Sequence, residues 1–264
     1  MLKMVGIDKS FNIGTINEKQ IFKGLNLTIN DGDFITVIGG NGAGKSTMLN
    51  LIAGVHKADG GGYKTDNEDL TYKNETQRAK YIGRVFQDPM MGTAPSMMIE
   101  ENLAMAYRRT KRRTLAWGIS QKEREMYRDA LAQLGLGLED RMKTKVGLLS
   151  GGQRQAVTLL MATLQKPRLL LLDEHTAALD PATSAKVLTL SDQIIHDNAL
   201  TALMVTHNMQ DAITYGNRLI MMDKGRVILD ISGEEKKHLT IEDLLHKFEE
   251  VSGSKFTSDS VILG

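Results

Sequence analysis

Leu25, Leu27 and Ile29 alternate with Asn26, Thr28 and Asn30, the two-residue period of a strand with one buried face. Asn30-Asp31-Gly32-Asp33 supplies turn residues, and the apolar run Phe34-Ile35-Thr36-Val37-Ile38 that follows predicts a buried strand ending at a glycine-rich loop. Beyond that loop Met48, Leu49, Leu51 and Ile52 recur at helical spacing as far as Gly54. Strand, glycine loop and helix therefore follow in order. Gly60-Gly61-Gly62 predicts a break before a second β-like stretch that ends near Val85-Phe86.

From about Gln87 to Pro167 the pattern turns helical. Ser120 and Glu123 form a capping box, Met126, Ala130, Leu131 and Leu134 make an apolar stripe, and Gly135 stops the helix. Strand patterns return at Leu169–Leu172 and Ala202–Val205, then as a hairpin from Arg218 to Asp230 turned at Asp223-Lys224-Gly225. A last helix carries Thr240 and Asp243 at capping positions and Ile241, Leu244, Leu245 and Phe248 on its apolar side, before a Ser-rich end. Buried strands separated by helices imply a largely parallel sheet and an α/β fold.

Composition narrows the function. The 264 residues hold one large α/β domain or a core with one inserted subdomain. Lys plus Arg (33) nearly cancel Asp plus Glu (32), so no global field argues for nucleic acid. No apolar run approaches a membrane span and MLKMVGIDKS lacks a signal-peptide core, which predicts a cytoplasmic chain. Without Cys there are no disulfides or thiolate metal sites, so the chemistry rests on oxygen, nitrogen and backbone.

Gly39-Gly40-Asn41-Gly42-Ala43-Gly44-Lys45-Ser46-Thr47 fits G-x-x-x-x-G-K-[ST] between a predicted strand and a predicted helix, the context of a P-loop. Its glycines let successive N–H groups face phosphate oxygens, and the helix N-terminus adds partial positive charge. Lys45 is then placed for the β- and γ-phosphates of ATP and Ser46 for Mg²⁺. Leu169-Leu170-Leu171-Leu172-Asp173-Glu174 is an apolar strand ending in two carboxylates, the pattern of a Walker B element. Asp173 would serve the Mg²⁺ shell and Glu174 would act as general base toward the attacking water. Leu149-Ser150-Gly151-Gly152-Gln153 reads as a helix entry capped by Ser150.

That last string matches the signature motif of the ABC ATPases, and the chain resembles that family from about Phe11 to Gly225. Further markers fall in the family's order. Gln87 matches the Q-loop glutamine that senses Mg²⁺ and the γ-phosphate, Asp180 the D-loop and His207 the switch histidine. Phe11 matches the A-loop aromatic that stacks on adenine, although Gly14–Gln20 makes the segment longer than usual.

The resemblance implies a P-loop NTPase core with a mainly parallel sheet (1–87 and 168–230), an N-terminal antiparallel β subdomain within it, an inserted α-helical signature subdomain (88–167) and a C-terminal helical extension (231–264). It implies a head-to-tail dimer in which ATP lies between the P-loop of one copy and Ser150, Gly151, Gly152, Gln153 and Asp180 of the other. Partners would be a second copy of the chain, integral-membrane permease subunits and an external substrate-binding protein, with the chain itself peripheral on the inner face of the cell membrane. The string DEHTAALDP and Met91–Ser96 are similar to a bacterial subgroup of amino-acid importers of tryptophan or tyrosine type. The alternative function is a soluble ABC ATPase of an assembly system, which a copurifying scaffold would reveal.

Two departures stand out. His175 occupies a position where the family usually carries Pro, and Ala156-Val157-Thr158 follows the signature where a second basic residue is common. Arg108, Arg109, Lys111, Arg112 and Arg113 form a basic cluster that is either a solvated face or a contact for anionic headgroups. Met90, Met91, Met97 and Met98 either pack within the helical insertion or form an adaptable partner surface.

Overall fold

The computed structural model describes residues 1–66, 68–109 and 118–252. Its strands are β1 (Leu2–Phe11), β2 (Lys19–Ile29), β3 (Phe34–Gly39), β4 (Gly60–Thr65), β5 (Ile82–Val85), β6 (Leu169–Asp173), β7 (Ala202–Val205), β8 (Arg218–Asp223) and β9 (Arg226–Ser232). Its helices are α1 (Lys45–Ala53), α2 (Glu75–Arg78), α3 (Ile99–Tyr107), α4 (Gln121–Ala132), α5 (Gly151–Thr163), α6 (Pro181–Asp197), α7 (Met209–Thr214), α8 (Gly233–Lys237) and α9 (Ile241–Ser252). They divide into two units, Met1–Arg78 with Thr201–Gly264, and Ala79–Leu200.

In the first unit β1 lies between β2 and β4, antiparallel to both. The predicted break at Gly60–Gly62 is instead the start of β4, where Gly60 pairs with Asp8 and Gly62 with Val5 across an irregular register. Gly61 takes φ +81°, and a Cβ there would stand 2.3 Å from the Gly6 carbonyl oxygen. The glycines serve a bulge, not a loop.

The same unit builds the platform for the P-loop. β3 is parallel to β7 on one side and to β8 on the other, with Val37 opposite Val205 and Ile220. β8 and β9 form the predicted hairpin, turned at Lys224 and Gly225, whose φ angles of 43° and 76° suit a tight two-residue connection. Ile38, Leu219, Met221, Ile231, Leu244 and Phe248 share one apolar core, so α9 belongs to it. Thr240 and Asp243 cap α9 reciprocally as predicted, whereas Ile241 is exposed rather than buried.

Buried Arg78 fixes the far end of α1. Its guanidinium donates to the carbonyls of Leu51, Ile52 and Leu70 at 2.7–2.9 Å and lies 4.4 Å from the centre of the Tyr63 ring. A cation at a helix C-terminus satisfies carbonyls that have no partner within the helix and opposes their partial negative charge.

The second unit pairs β5 with β6 in parallel, Arg84 opposite Leu171 and Val85 opposite Leu172. Ile99, Leu103, Tyr127, Leu131, Leu134 and Val157 form its helical core. Of the predicted α4 stripe Leu131 and Leu134 are buried, while Met126 and Ala130 flank the core and Tyr127 fills it. Ser120 and Glu123 exchange the capping-box hydrogen bonds. Arg108 donates to both Glu123 oxygens; Lys111, Arg112, Arg113 and the Ser-rich end lie outside the described residues. Among the described residues no helix is long and apolar enough to cross a membrane.

Candidate functional site

The first unit brings together the P-loop, Phe11 and His207. The loop leaves β3 at Gly39, whose φ is +151° and whose added Cβ would meet the Met222 carbonyl oxygen at 2.2 Å. Gly44 is left-handed (φ +103°) and begins α1, where a Cβ would strike the Phe22 ring at 2.7 Å. Both positions exclude side chains, so bare backbone lines the cradle. The Ala43 carbonyl accepts from the N–H of Gly225, which ties the loop to the β8–β9 turn.

Lys45 is 7% exposed and donates from Nζ to the carbonyls of Gly39 (2.7 Å) and Gly40 (3.2 Å). These contacts fold the ammonium back over the loop that α1 opens. His207 is exposed at the carboxyl end of β7, beside the end of β3, because Thr206 donates its N–H to Val37. Asn208, which caps α7, fixes the turn after it. Asp211 in that helix has its pKa raised by burial, against the opposing charge of His207.

Phe11 closes β1 opposite Lys19. The His56 ring stands edge-on to it at 5.3 Å, and Lys9 Nζ is 5.2 Å from its centre. Lys19 escaped sequence reasoning: its Nζ is 4.0 Å from where a Gly42 Cβ would be, so a second ammonium stands over the loop.

The second unit carries Asp173, Glu174, Gln87, Asp180 and the start of α5. Four buried leucines carry β6 to Asp173, whose Oδ2 pairs with Arg84 Nη2 at 3.2 Å. The parallel register puts Arg84 on the same face as Asp173, and the guanidinium also lies 4.5 Å from the centre of the Phe86 ring. Glu174 follows with φ +44°, a left-handed backbone that costs a non-glycine residue about 1 kcal/mol. Burial depresses the pKa of His175, next in the chain, to about 4, so its imidazole is neutral.

Gln87 is exposed just after β5. The preceding carbonyl, of Phe86, accepts from the fully buried Gln155 of α5 at 3.2 Å, a tie invisible in the sequence. Ser150 caps α5 by accepting from the N–H of Gln153, and the Gln153 side chain returns the hydrogen bond to the N–H of Ser150. Gly152 admits no side chain, since a Cβ would lie 2.2 Å from Thr183 Cγ2. Asp180 caps α6, and hydrogen bonds from Thr183 hold its carboxyl below the ordinary range.

The Ser46 hydroxyl of the first unit and, in the second, the Asp173 carboxylate and the Gln87 amide are each hard oxygen donors of the kind Mg²⁺ takes alongside phosphate oxygens and water, so the chemistry of each residue fits the ion that the resemblance implies. Among the described residues no cluster of three His, Cys, Asp or Glu stands ready to hold a metal.

The family described as ABC transporter matches residues 22–177. The tyrosine transport ATP-binding protein of Clostridioides difficile (strain R20291) is 44% identical over 249 residues, covering 94% of this chain and 99% of that protein. A dimeric post-hydrolysis ATP-binding cassette, MJ0796 bound to ADP and Pi, superposes with a TM-score of 0.75 at 28% identity, over 88% of this chain and 98% of the other. CbiO1 from Clostridium perfringens, part of the transporter complex cbiONQ, gives 0.75 at 26% identity over 94% of each chain.

Proposed function

The chain belongs to the ABC transporter family and is an ATP-binding, ATP-hydrolysing subunit, and from that premise we propose that it serves an importer and powers uptake of an amino acid, tyrosine first, through a separate permease. One observation carries the substrate: the likeness to a tyrosine transport ATP-binding protein runs over 99% of that protein's length. The chain would dock on the cytoplasmic face of the membrane, with an external substrate-binding protein delivering the solute.

In this proposal the P-loop amides and Lys45 hold the triphosphate, and Ser46, Asp173 and Gln87 hold Mg²⁺. When bound, the ion neutralises charge on the β- and γ-phosphates. Glu174 orients water and accepts its proton, while His207 faces the γ-phosphate from the end of β7. Ser150, Gly151, Gly152, Gln153 and Asp180 of a second copy close the nucleotide, so that ATP joins two chains and hydrolysis parts them. The division into a nucleotide-binding core, a helical subdomain at 88–167 and an extension from 231 belongs to the same proposal.

Uptake of radiolabelled tyrosine by cells lacking this chain tests the transport reading. Uptake is expected to fall to background and to return with the intact chain but not with Glu174→Gln. Unchanged uptake would remove tyrosine, and copurification with a soluble scaffold in place of a permease would favour the assembly function.

Phe11→Ala is expected to weaken ATP binding about fivefold, roughly 1 kcal/mol, the worth of one aromatic stack. Calorimetric titration reads this directly, and an unaltered affinity would place the adenine elsewhere.

A further inference from the structure

His175 is the one member of the Asp173–Asp180 segment whose side chain is both buried and polar, with 2% exposure. Its Nε2 lies 2.9 Å from Ser191 Oγ in the middle of α6, and Ser191 is 1% exposed. The Ser191 hydroxyl donates its single proton to the Val187 carbonyl at 2.8 Å. It therefore accepts from His175, which makes Nε2 the protonated nitrogen.

The backbone around this contact gives it a purpose. Glu174 is held at φ +44°, and its carbonyl accepts from the N–H of Ala177 at 3.0 Å, closing a turn with His175 as its second residue. Ala177 and Ala178 are exposed and bring no buried anchor. A left-handed glutamate persists only where its surroundings over-determine it. The flanking ties within this unit are β6 on one side and the Asp180 cap of α6 on the other; between them the buried imidazole ties the turn to the middle of α6.

We propose that His175 is a positioning residue for Glu174, its hydrogen bond to Ser191 locking the turn that aims the carboxylate at the attacking water. The proposal rests on the reading of Glu174 as general base. Loss of the lock leaves Glu174 present but misaimed, so it slows the chemical step and spares the binding of nucleotide, which other residues perform. A histidine that only fills space would be replaced without loss by leucine, and the Ser191 hydroxyl would be dispensable.

Steady-state hydrolysis of MgATP by the full-length chain tests this with Ser191→Ala, His175→Leu, their double variant and His175→Gln, whose amide nitrogen reaches about as far as Nε2. Circular dichroism melts establish that each is folded. Ser191→Ala and His175→Leu are expected to lower kcat about tenfold with KM for ATP within twofold of the parent. The double variant should be no slower than His175→Leu, as two halves of one interaction require, and His175→Gln should keep most of the parent kcat. Folded Ser191→Ala with parental kcat overturns the proposal, as does an equal change in KM or a double variant whose losses multiply. A parent chain that binds ATP without hydrolysing it overturns the reading of the site itself, and this inference with it.

Discussion

Glu174→Gln is expected to bind ATP and Mg²⁺ as the parent does and to hydrolyse ATP at least about a hundredfold more slowly, the usual worth of a general base. The amide keeps the size of the carboxylate and loses its basicity and charge, so the change falls on proton transfer from water. Asp173, one residue earlier and at the end of β6, must fail differently. Asp173→Asn weakens Mg²⁺-dependent binding itself, because a hard cation prefers a charged oxygen. Phosphate release measured beside nucleotide affinity separates the two neighbours. Parental turnover in Glu174→Gln would place the base elsewhere.

Lys45→Ala is expected to lose ATP turnover by two orders of magnitude or more, with most of the loss in binding. Its buried ammonium is folded over the glycine loop by the Gly39 and Gly40 carbonyls, where in the proposed site it would meet the β- and γ-phosphates at short range. Removing it leaves those carbonyls facing the triphosphate, so attraction gives way to repulsion. Fluorescent-nucleotide titration together with phosphate release reads both parts of the loss. Near-normal hydrolysis would refute the P-loop assignment.

The elements that bear these residues were legible because each rests on a local pattern. The alternation before Ile29, the leucines of β6 and the Ser150–Gln153 capping pair depend on neighbours a few residues away, and the structure reproduces them. Gly60–Gly62 misled because positive-φ glycines mark bulges as readily as loops, and only pairing with β1 distinguishes them. Arg84 with Asp173 and Gln155 with Phe86 lie far apart in sequence and meet through strand register and helix packing. Tyr127 was missed in the α4 stripe because a polar tip disguised a ring that the helical core encloses. At Phe11 the aromatic type was readable, whereas its companions His56 and Lys19 needed the β1–β2 pairing and the α1 terminus to come near.

The ATP sandwich stands or falls on the mass of Glu174→Gln in solution, since blocked hydrolysis should trap the closed form. Light scattering after size-exclusion chromatography is expected to give the monomer mass without nucleotide and twice that mass with ATP and Mg²⁺, with no dimer when Lys45→Ala is added. A Glu174→Gln chain that binds ATP and stays monomeric, or one that dimerises equally without nucleotide, would contradict a site completed by the Ser150–Gly152 helix start of a second copy.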